Sequence, residues 1–351
     1  MTTPAEDDRF CAALLPRVSR TFAAGIVALP PSLRAPTMIG YLVCRAADAI
    51  EDQTTLSIAN RRLALRALRD EIIDATAAAT GADAGVPAAL RREIPATIGG
   101  GAWPEGLCGT SESDAELLAG RAHVLRALSR LPADIAAIVG ATAIEMCDGM
   151  AEYLQDDETR PIRTWADLDR YCYFVAGTVG HMLTGLFLAG RAPWIHEAAL
   201  VERATGFGTA LQLVNVAKDA ARDLEDGRIF LPRESWPPGF AAHKGDKPPP
   251  ELHAVVAQVV ARAWERVREA QEYLVSLPPD ALPARRFCAM ALHLAILTLR
   301  ECERVPTLID PARPPKVGRV DVATTIAWLA LHAGDDRALA ERYGTLAGAR
   351  A

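Results

Sequence analysis

Residues 41–52 read YLVCRAADAIED. The polar side chains of this stretch recur at steps of four, three and four residues, and at about 100° per residue this spacing puts them on one face of an α-helix. They are Tyr41, Arg45, Asp48 and Asp52. Glu51 lies beside that face, and nearly every other position is apolar. The pattern predicts a helix that is buried in protein rather than one that lies on the surface.

Residues 212–228 read QLVNVAKDAARDLEDGR and repeat this arrangement. Their polar face, at steps of three, four and four residues, consists of Gln212, Asn215, Asp219 and Asp223. We call the face of residues 41–52 the first acidic stripe and the face of residues 212–228 the second acidic stripe. For either stripe alone, a solvated face that carries salt bridges is the alternative interpretation.

Two acidic stripes on apolar helices require something that offsets their charge. Like charges four residues apart disfavour a helix by about 0.2–0.5 kcal/mol in water, and by more where the helix is desolvated. Mg²⁺ takes oxygen ligands and is commonly held by one or two carboxylates together with substrate phosphates. The two stripes together therefore predict that a diphosphate is bound through Mg²⁺, which would neutralise the charge that develops on the leaving group.

The composition favours an all-α fold. The chain has 351 residues, half of them hydrophobic and only 6% aromatic, and it is rich in strong helix formers. Two loops, about 99–113 and 237–250, interrupt the helical pattern, and neither is long enough for a flexible domain linker. We therefore predict one helical domain over residues 1–351, built around a central cavity. Besides helices from about residue 7 and over 36–52, the periodicity predicts helices at about 58–79, 85–95, 112–129, 132–154, 164–189, 194–224, 250–276, 280–304 and 320–345.

Charge and cysteine content exclude several classes of function. The net charge of −6 and a pI near 5.7 provide no basic surface for a nucleic acid. Seven scattered cysteines indicate reduced, buried thiols rather than a zinc site or a disulfide framework. Residues 1–9 are polar and lack the features of a secretory signal, so we expect a cytoplasmic protein. No uncharged apolar stretch reaches the ~18 residues that a membrane span needs, so we expect no transmembrane anchor.

Five ordered segments of the sequence resemble the squalene and phytoene synthase family. They are residues 19–22 (SRTF) followed by 28–30 (ALP), 41–52, 146–153, 171–180 (YCYFVAGTVG) and 211–236. Together they span about residues 10–305, most of the chain. The resemblance implies an isoprenoid synthase fold, in which helices surround a central active-site cavity.

The resemblance also implies roles for individual residues. The positions that match the family's magnesium ligands are Asp48, Glu51, Asp52, Asn215, Asp219 and Asp223. The four aspartates of this set are also expected to be catalytic. The positions that match substrate contacts near the diphosphate are Ser19, Arg20, Thr21, Phe22, Tyr41, Arg45, Gln212, Lys218 and Arg228. Lys218 stands where an arginine is commoner, which keeps the charge but loses bidentate geometry.

Other matching positions concern the reacting carbon chains. Tyr171 matches a tyrosine that handles the proton lost when a cyclopropane intermediate closes. The positions that match the tunnel for the prenyl tails are Val175, Val179, Leu183 and Leu211, although core packing predicts the same residue types. Gly177 and Gly180, three residues apart, predict a close approach of the backbone to a ligand or to a neighbouring helix.

The reaction that the resemblance implies uses two molecules of farnesyl diphosphate. Their head-to-head condensation gives presqualene diphosphate, and rearrangement with hydride from NADPH gives squalene. No GxGxxG fingerprint follows a strand, so a nicotinamide would need a different basic pocket. Lys316 and Arg319 lie near the family's basic segment after the last core helix, and a solvated loop is the alternative interpretation for both.

Several alternatives remain open at this point. In residues 287–292 (FCAMAL), Ala291-Leu292 replaces the Pro-Gln pair usual in squalene synthases, so the product could be dehydrosqualene, presqualene diphosphate or phytoene. A class I terpene cyclase is a second interpretation, because Asn215, Asp219 and Asp223 reproduce the steps of that class's metal motif. A non-catalytic helical scaffold is a third. An apolar product would favour peripheral membrane contact for its release, and the sequence gives no oligomeric state.

Overall fold

The computed structural model describes residues 3–81, 103–154, 162–189, 197–240 and 248–348, without the side chains of Arg20 and Thr21. Within these ranges every regular element is helical, which confirms the all-α prediction. The helix predicted at 85–95, and residues 99–102 and 241–247 of the two predicted loops, lie outside the described residues.

Fourteen α-helices are formed by the described residues. They are α1 (Pro4–Val18), α2 (Arg20–Val27), α3 (Pro31–Glu51), α4 (Ile58–Thr80), α5 (Glu112–Ala119), α6 (Arg121–Leu128), α7 (Ala133–Tyr153), α8 (Trp165–Cys172), α9 (Thr178–Leu188), α10 (Glu197–Glu225), α11 (Leu252–Ser276), α12 (Leu282–Arg304), α13 (Arg319–His332) and α14 (Asp336–Ala347). A π-helical turn, Tyr173–Gly177, joins α8 to α9, and a 3₁₀ turn follows α10 at Arg233–Ser235.

The chain divides into two compact units. The first comprises Met1–Pro161 and Met182–Ala192, and the second comprises Ile162–His181 and Pro193–Ala351. In the first unit α7 packs against α3 and α4, and α1 packs against α6. In the second unit α10 packs against α11, α12 and the π-turn, while α12 also contacts α13 and α14. The single domain with a central cavity that the sequence suggested stays a prediction.

Two predicted helices are each interrupted. The stretch 112–129 forms α5 and α6, which meet at Gly120, where a Cβ atom would overlap the ring of Phe10. The stretch 320–345 forms α13 and α14, because Asp335 caps the start of α14 by accepting a hydrogen bond from Ala338 N at 3.1 Å. Periodicity alone missed both breaks because the apolar pattern continues through them.

Two helical stretches are long and apolar enough to cross a membrane, by length and composition only: Trp165–Leu188 and Leu282–Arg304. In their most apolar windows 61% and 72% of residues are buried inside the protein, which is also the pattern of core helices. Six of the seven cysteines are buried, while Cys108 is exposed.

The N-terminal helix is fastened by a buried carboxylate. Asp7 is only 1% exposed and accepts hydrogen bonds from Arg126 Nη2 at 2.7 Å and Arg130 Nη1 at 2.8 Å. His123 Nδ1 lies 2.8 Å from the same carboxylate. These contacts hold the pKa of Asp7 well below its usual range, although burial opposes the effect. The hydrogen bond from Arg126 lowers the pKa most.

We expect Asp7→Asn to lower the free energy of unfolding by about 2–3 kcal/mol at pH 7, because charge-assisted hydrogen bonds to a buried group are lost. A folded-state pKa below the unfolded value of about 3.9 means that this stability is present above pH 4 and is lost as the pH falls further. Urea denaturation at several pH values measures both effects. Asp8→Asn is the control, since Asp8 is 69% exposed although it also pairs with Arg130, and it should change stability by less than about 1 kcal/mol. Equal losses from both variants would contradict the prediction.

Candidate active site

Helix α3 places the first acidic stripe as the sequence predicted. The helix begins at Pro31, where a proline is tolerated because the first turn needs no N–H donor, and Asp52 caps its end. The apolar residues between the stripe positions are buried: Leu42, Val43, Cys44, Ala46, Ala47, Ala49 and Ile50. Glu51 is buried too, at 6% exposure, whereas the four stripe residues, Tyr41, Arg45, Asp48 and Asp52, are half-buried.

Asp48 combines accessibility with an unfavourable environment for its charge. Its side chain is 39% exposed. Desolvation by the surrounding protein nevertheless raises the pKa of Asp48 to about 7, while the charge of Arg45 opposes the rise and that of Asp52 adds to it. A cation bound there would remove the penalty on the ionised form.

Only part of the guanidinium group of Arg45 is available to a ligand. Its Nε donates to Asp114 Oδ1 at 3.1 Å, and its Nη2 donates to both oxygens of Asp114 at 2.9 and 3.0 Å. Its Nη1 lies 3.9 Å from Asp48 Oδ2. The residue predicted to contact diphosphate is therefore held by a carboxylate that the sequence analysis did not single out.

Three other predicted substrate residues come together beside α3. Ser19 caps α2 by accepting a hydrogen bond from Phe22 N at 3.1 Å. Burial raises the pKa of Tyr41, and a side-chain hydrogen bond with Ser19 opposes the rise. The rings of Phe22 and Tyr41 lie 6.0 Å apart. Arg20 and Thr21, predicted for the same site, have side chains outside the described part of the structure.

Helix α10 places the second acidic stripe along its C-terminal half. Lys218 Nζ lies 3.1 Å from Asp219 Oδ2, and the side chain of Asp219 is 45% exposed. Asn215 is exposed and its Nδ2 is 3.5 Å from Gln212 Oε1. Asp219 and Asn215 thus offer reachable oxygen atoms on one face of the helix.

Asp223 and Arg228 are joined by the turn that ends α10. Gly227 has a φ of 74°, a left-handed conformation that glycine adopts readily. This turn brings Arg228 N to Asp223 O at 2.7 Å and Arg228 Nη2 to Asp223 Oδ1 at 2.6 Å. Asp223 is only 7% exposed. The negative charge of Asp223 is therefore paired with the positive charge of Arg228.

Tyr171 is buried at the end of α8. It is 3% exposed, and its ring stacks on Phe230 with centroids 4.9 Å apart. The π-turn that follows adds one residue to a helical turn, which rotates the later side chains by about 100° relative to a continuous α-helix. The sequence pattern did not reveal this turn. Such insertions inside helices are frequent at functional sites.

The close approach predicted at Gly177 and Gly180 is made to a neighbouring helix. A Cβ on Gly180 would overlap Ala204 O of α10, and a Cβ on Gly208 of α10 would overlap Ala176 O and lie 3.0 Å from Gly177 Cα. Backbone therefore packs on backbone between the π-turn region and α10. This contact fixes the element that carries Tyr171 against the helix that carries the second acidic stripe.

The predicted tunnel residues have mixed burial. Val175 and Leu183 are buried, whereas Val179 and Leu211 are half-buried. These exposures fit a tunnel lining and fit core packing equally.

Lys316 and Arg319 are exposed at the start of α13. Two exposed cations suit a phosphate group, and nothing else in the described residues identifies a pocket for a nicotinamide ring.

Among the described residues, no three His, Cys, Asp or Glu side chains cluster as a ready-made metal site. This arrangement still fits Mg²⁺, which needs one or two protein carboxylates and takes further oxygens from substrate phosphates and water. Asp48 and Asp219 supply accessible carboxylates of that kind.

Comparison with protein families finds one match. The model described as squalene/phytoene synthase matches residues 15–321. The squalene synthase ERG9 of Candida albicans strain SC5314 is 31% identical over 311 residues, which cover 85% of this chain and 62% of that protein. The squalene synthase of Schizosaccharomyces pombe is 29% identical over 309 residues, 86% of this chain and 61% of that protein. The chain thus spans about three-fifths of the length of these relatives.

Solved structures are also similar. The complex of TcSQS with the ligand BPH1237 has a TM-score of 0.74 at 28% identity, covering 97% of this chain and 91% of that one. A dehydrosqualene synthase bound to a ligand has a TM-score of 0.61 at 21% identity and supports the fold alone. The expected isoprenoid synthase fold is confirmed by these neighbours.

Proposed function

The chain belongs to the squalene/phytoene synthase family, and from that we propose that it joins two farnesyl diphosphates head to head and reduces the presqualene diphosphate to squalene. The observation that carries the proposal is the presence of both acidic stripes, each with buried apolar residues between its polar positions, within the segment that the family model matches. A structural role alone would not require either stripe to keep carboxylates accessible to solvent.

We assign diphosphate binding to the two stripes and their cationic neighbours. Bound Mg²⁺ would neutralise the charge of the leaving diphosphate, and the residues that would hold it are Asp48, Glu51, Asp52, Asn215, Asp219 and Asp223. We assign Arg45 Nη1, which lies near Asp48, and Lys218, which lies near Asp219, to contacts with phosphate oxygens. We assign Arg228, which pairs with Asp223 of the second acidic stripe, to the same phosphate group.

We assign Tyr171 to the step that closes the cyclopropane ring. A phenol that is 3% exposed and stacked on Phe230 can exclude water from a carbocation and take part in removing the proton lost on ring closure. Val175, Val179, Leu183 and Leu211 are the side chains we assign to the prenyl tails.

For the second half-reaction we assign Lys316 and Arg319 to the phosphates of NADPH, which would supply the hydride. Ala291 and Leu292, where squalene synthases usually have Pro-Gln, are 7% and 0% exposed. Both side chains are therefore part of the buried core around α12.

The proposal is tested by incubating the purified protein with farnesyl diphosphate and Mg²⁺, with and without NADPH, and identifying products by mass spectrometry. We expect presqualene diphosphate without NADPH and squalene with it, and no product in EDTA. Dehydrosqualene or presqualene diphosphate regardless of NADPH would overturn the reductive step. Formation of phytoene from geranylgeranyl diphosphate would change the assigned substrate from farnesyl diphosphate to geranylgeranyl diphosphate.

The other two interpretations make different predictions in the same assay. A class I cyclase would consume one prenyl diphosphate for each product, and a scaffold would consume none. Membership of the family favours neither of them. We further propose a cytoplasmic enzyme that contacts membranes peripherally to release its apolar product, which flotation with phospholipid vesicles would test.

A further inference from the structure

Asp114 is a buried carboxylate whose bonding is complete. It is the third residue of α5 and is 1% exposed. Besides its three hydrogen bonds from Arg45, it accepts from Thr110 Oγ1 at 2.9 Å and from Ser111 Oγ at 2.8 Å. A charge buried to this degree is tolerated only when paired and hydrogen-bonded, so its position and that of its arginine are tightly determined.

The pair with Asp114 determines which edge of Arg45 remains available. Nε and Nη2 are both engaged by Asp114, and the described residues give Nη1 no hydrogen bond. Nη1 lies 3.9 Å from Asp48 Oδ2, and the arginine side chain is 24% exposed. The free edge is therefore fixed beside the accessible carboxylate of the first acidic stripe.

The segment that carries Asp114 is attached to α3 at a second point. Gln53 follows the stripe directly, and its Oε1 accepts from Cys108 N at 3.1 Å and from Gly109 N at 2.9 Å. Gly109 has a φ of 69°, and a Cβ there would lie 2.7 Å from Asp114 Cβ. Residues 106–114 are thus bonded to Arg45, within the stripe, and to Gln53, directly after it.

We propose that Asp114 is a positioning residue, which orients Arg45 so that Nη1 binds an oxygen of a diphosphate held at the first acidic stripe. The proposal rests on the proposed function, because it takes diphosphate as the ligand. Without Asp114 the guanidinium would pair with Asp48 or rotate into solvent, and the anion would lose a preorganised donor.

A purely structural role, in which the pair only fastens α5 to α3, makes a different prediction. The same unit contains a second pair for comparison, with a more exposed carboxylate: Arg121 donates from Nε to Glu71 Oε2 at 2.9 Å and from Nη2 to Glu71 Oε1 at 3.1 Å, and the Glu71 side chain is 29% exposed. That pair is also bidentate and touches neither acidic stripe. Glu71→Gln therefore measures what losing such a pair does to the fold alone.

The test measures binding of inorganic pyrophosphate in the presence of Mg²⁺ by calorimetry, together with kcat and KM for farnesyl diphosphate. We expect Asp114→Asn to raise the Kd for pyrophosphate, and KM, by about tenfold, the worth of one charge-assisted hydrogen bond, with a smaller change in kcat. In an Arg45→Met background the same substitution should change the Kd less than about twofold, since the two residues act as one unit. Glu71→Gln should lower stability and leave the Kd unchanged.

Two results would overturn the proposal. One is an Asp114→Asn protein with reduced stability and an unchanged Kd, and the other is an equal loss of affinity with and without Arg45. If Asp114→Asn does not fold, Asp114→Glu keeps the buried charge while displacing the guanidinium, and should still weaken pyrophosphate binding.

The binding measurement separates this proposal from the proposed function. Wild-type protein that binds pyrophosphate but makes no C30 product would count against the proposed function alone. Wild-type protein that binds no pyrophosphate with Mg²⁺ would overturn both.

Discussion

Asp48→Asn and Asp219→Asn should each lower kcat for farnesyl diphosphate on the order of 10²–10³-fold while the protein stays folded. Asparagine keeps the shape of each side chain and removes the charge that a hard divalent cation requires. Neither carboxylate supports the core, since their side chains are 39% and 45% exposed. Turnover assays over a range of Mg²⁺ concentrations measure the effect, and excess Mg²⁺ should restore little of it.

The stability of the Asp48 variant distinguishes a functional carboxylate from a structural one. Because burial raises the pKa of Asp48 to about 7, the folded metal-free protein holds a proton there that the unfolded chain releases near pH 4. Ionisation of Asp48 therefore lowers the free energy of unfolding as the pH rises through this interval. Without metal at pH 8, Asp48→Asn should be at least as stable as the wild type.

The matched control for these variants is Asp70→Asn. Asp70 belongs to neither stripe, is 47% exposed and pairs with Arg69 at 3.1 Å. Asp70→Asn should leave kcat within about twofold of the wild-type value. It should change the free energy of unfolding by no more than about 1 kcal/mol. An Asp48→Asn protein with wild-type kcat would remove Asp48 from the metal set, and the same holds for Asp219.

The parts of the fold and site that the sequence predicted depend on residues close together in the chain. The face shared by Asp48 and Asp52, and that shared by Asp219 and Asp223, follow from the helical repeat alone. The burial of the rest of α3 follows from its apolar composition. Local periodicity was therefore enough to find both stripes, and their pairing into one function came from the resemblance to the family.

The parts that it missed depend on residues distant in the chain. Asp114 lies 69 positions from Arg45 in the chain. No local sequence pattern around either residue predicts that the two form an ion pair. The π-turn before α9 leaves the hydropathy pattern unbroken, and so do the breaks between α5 and α6 and between α13 and α14. In each case tertiary contacts or capping decided the local structure against a continuous helical pattern.

Arg285→Ala should give the largest loss of stability of the substitutions considered, about 3–5 kcal/mol. Arg285 is 0% exposed. Its Nε donates to Ala333 O at 2.6 Å, and its two terminal nitrogens donate to Leu277 O and to Asp336 Oδ1. One side chain thus satisfies carbonyl groups at the ends of α11 and α13 and binds the first turn of α14. Alanine leaves two buried acceptors without donors and a cavity beside them.

The neighbouring residue provides a control of the same type in the same helix. Arg286 also donates to a carbonyl of α13, to Ala330 O at 2.8 Å, but it is exposed, so water can replace it. Arg286→Ala should change stability by no more than about 1 kcal/mol. Urea denaturation gives the stabilities, and hydrogen exchange should show α13 and α14 losing protection first in Arg285→Ala. Equal losses from Arg285→Ala and Arg286→Ala would mean that the carbonyls find water when the guanidinium is removed, and that burial of Arg285 does not fasten the C-terminal helices.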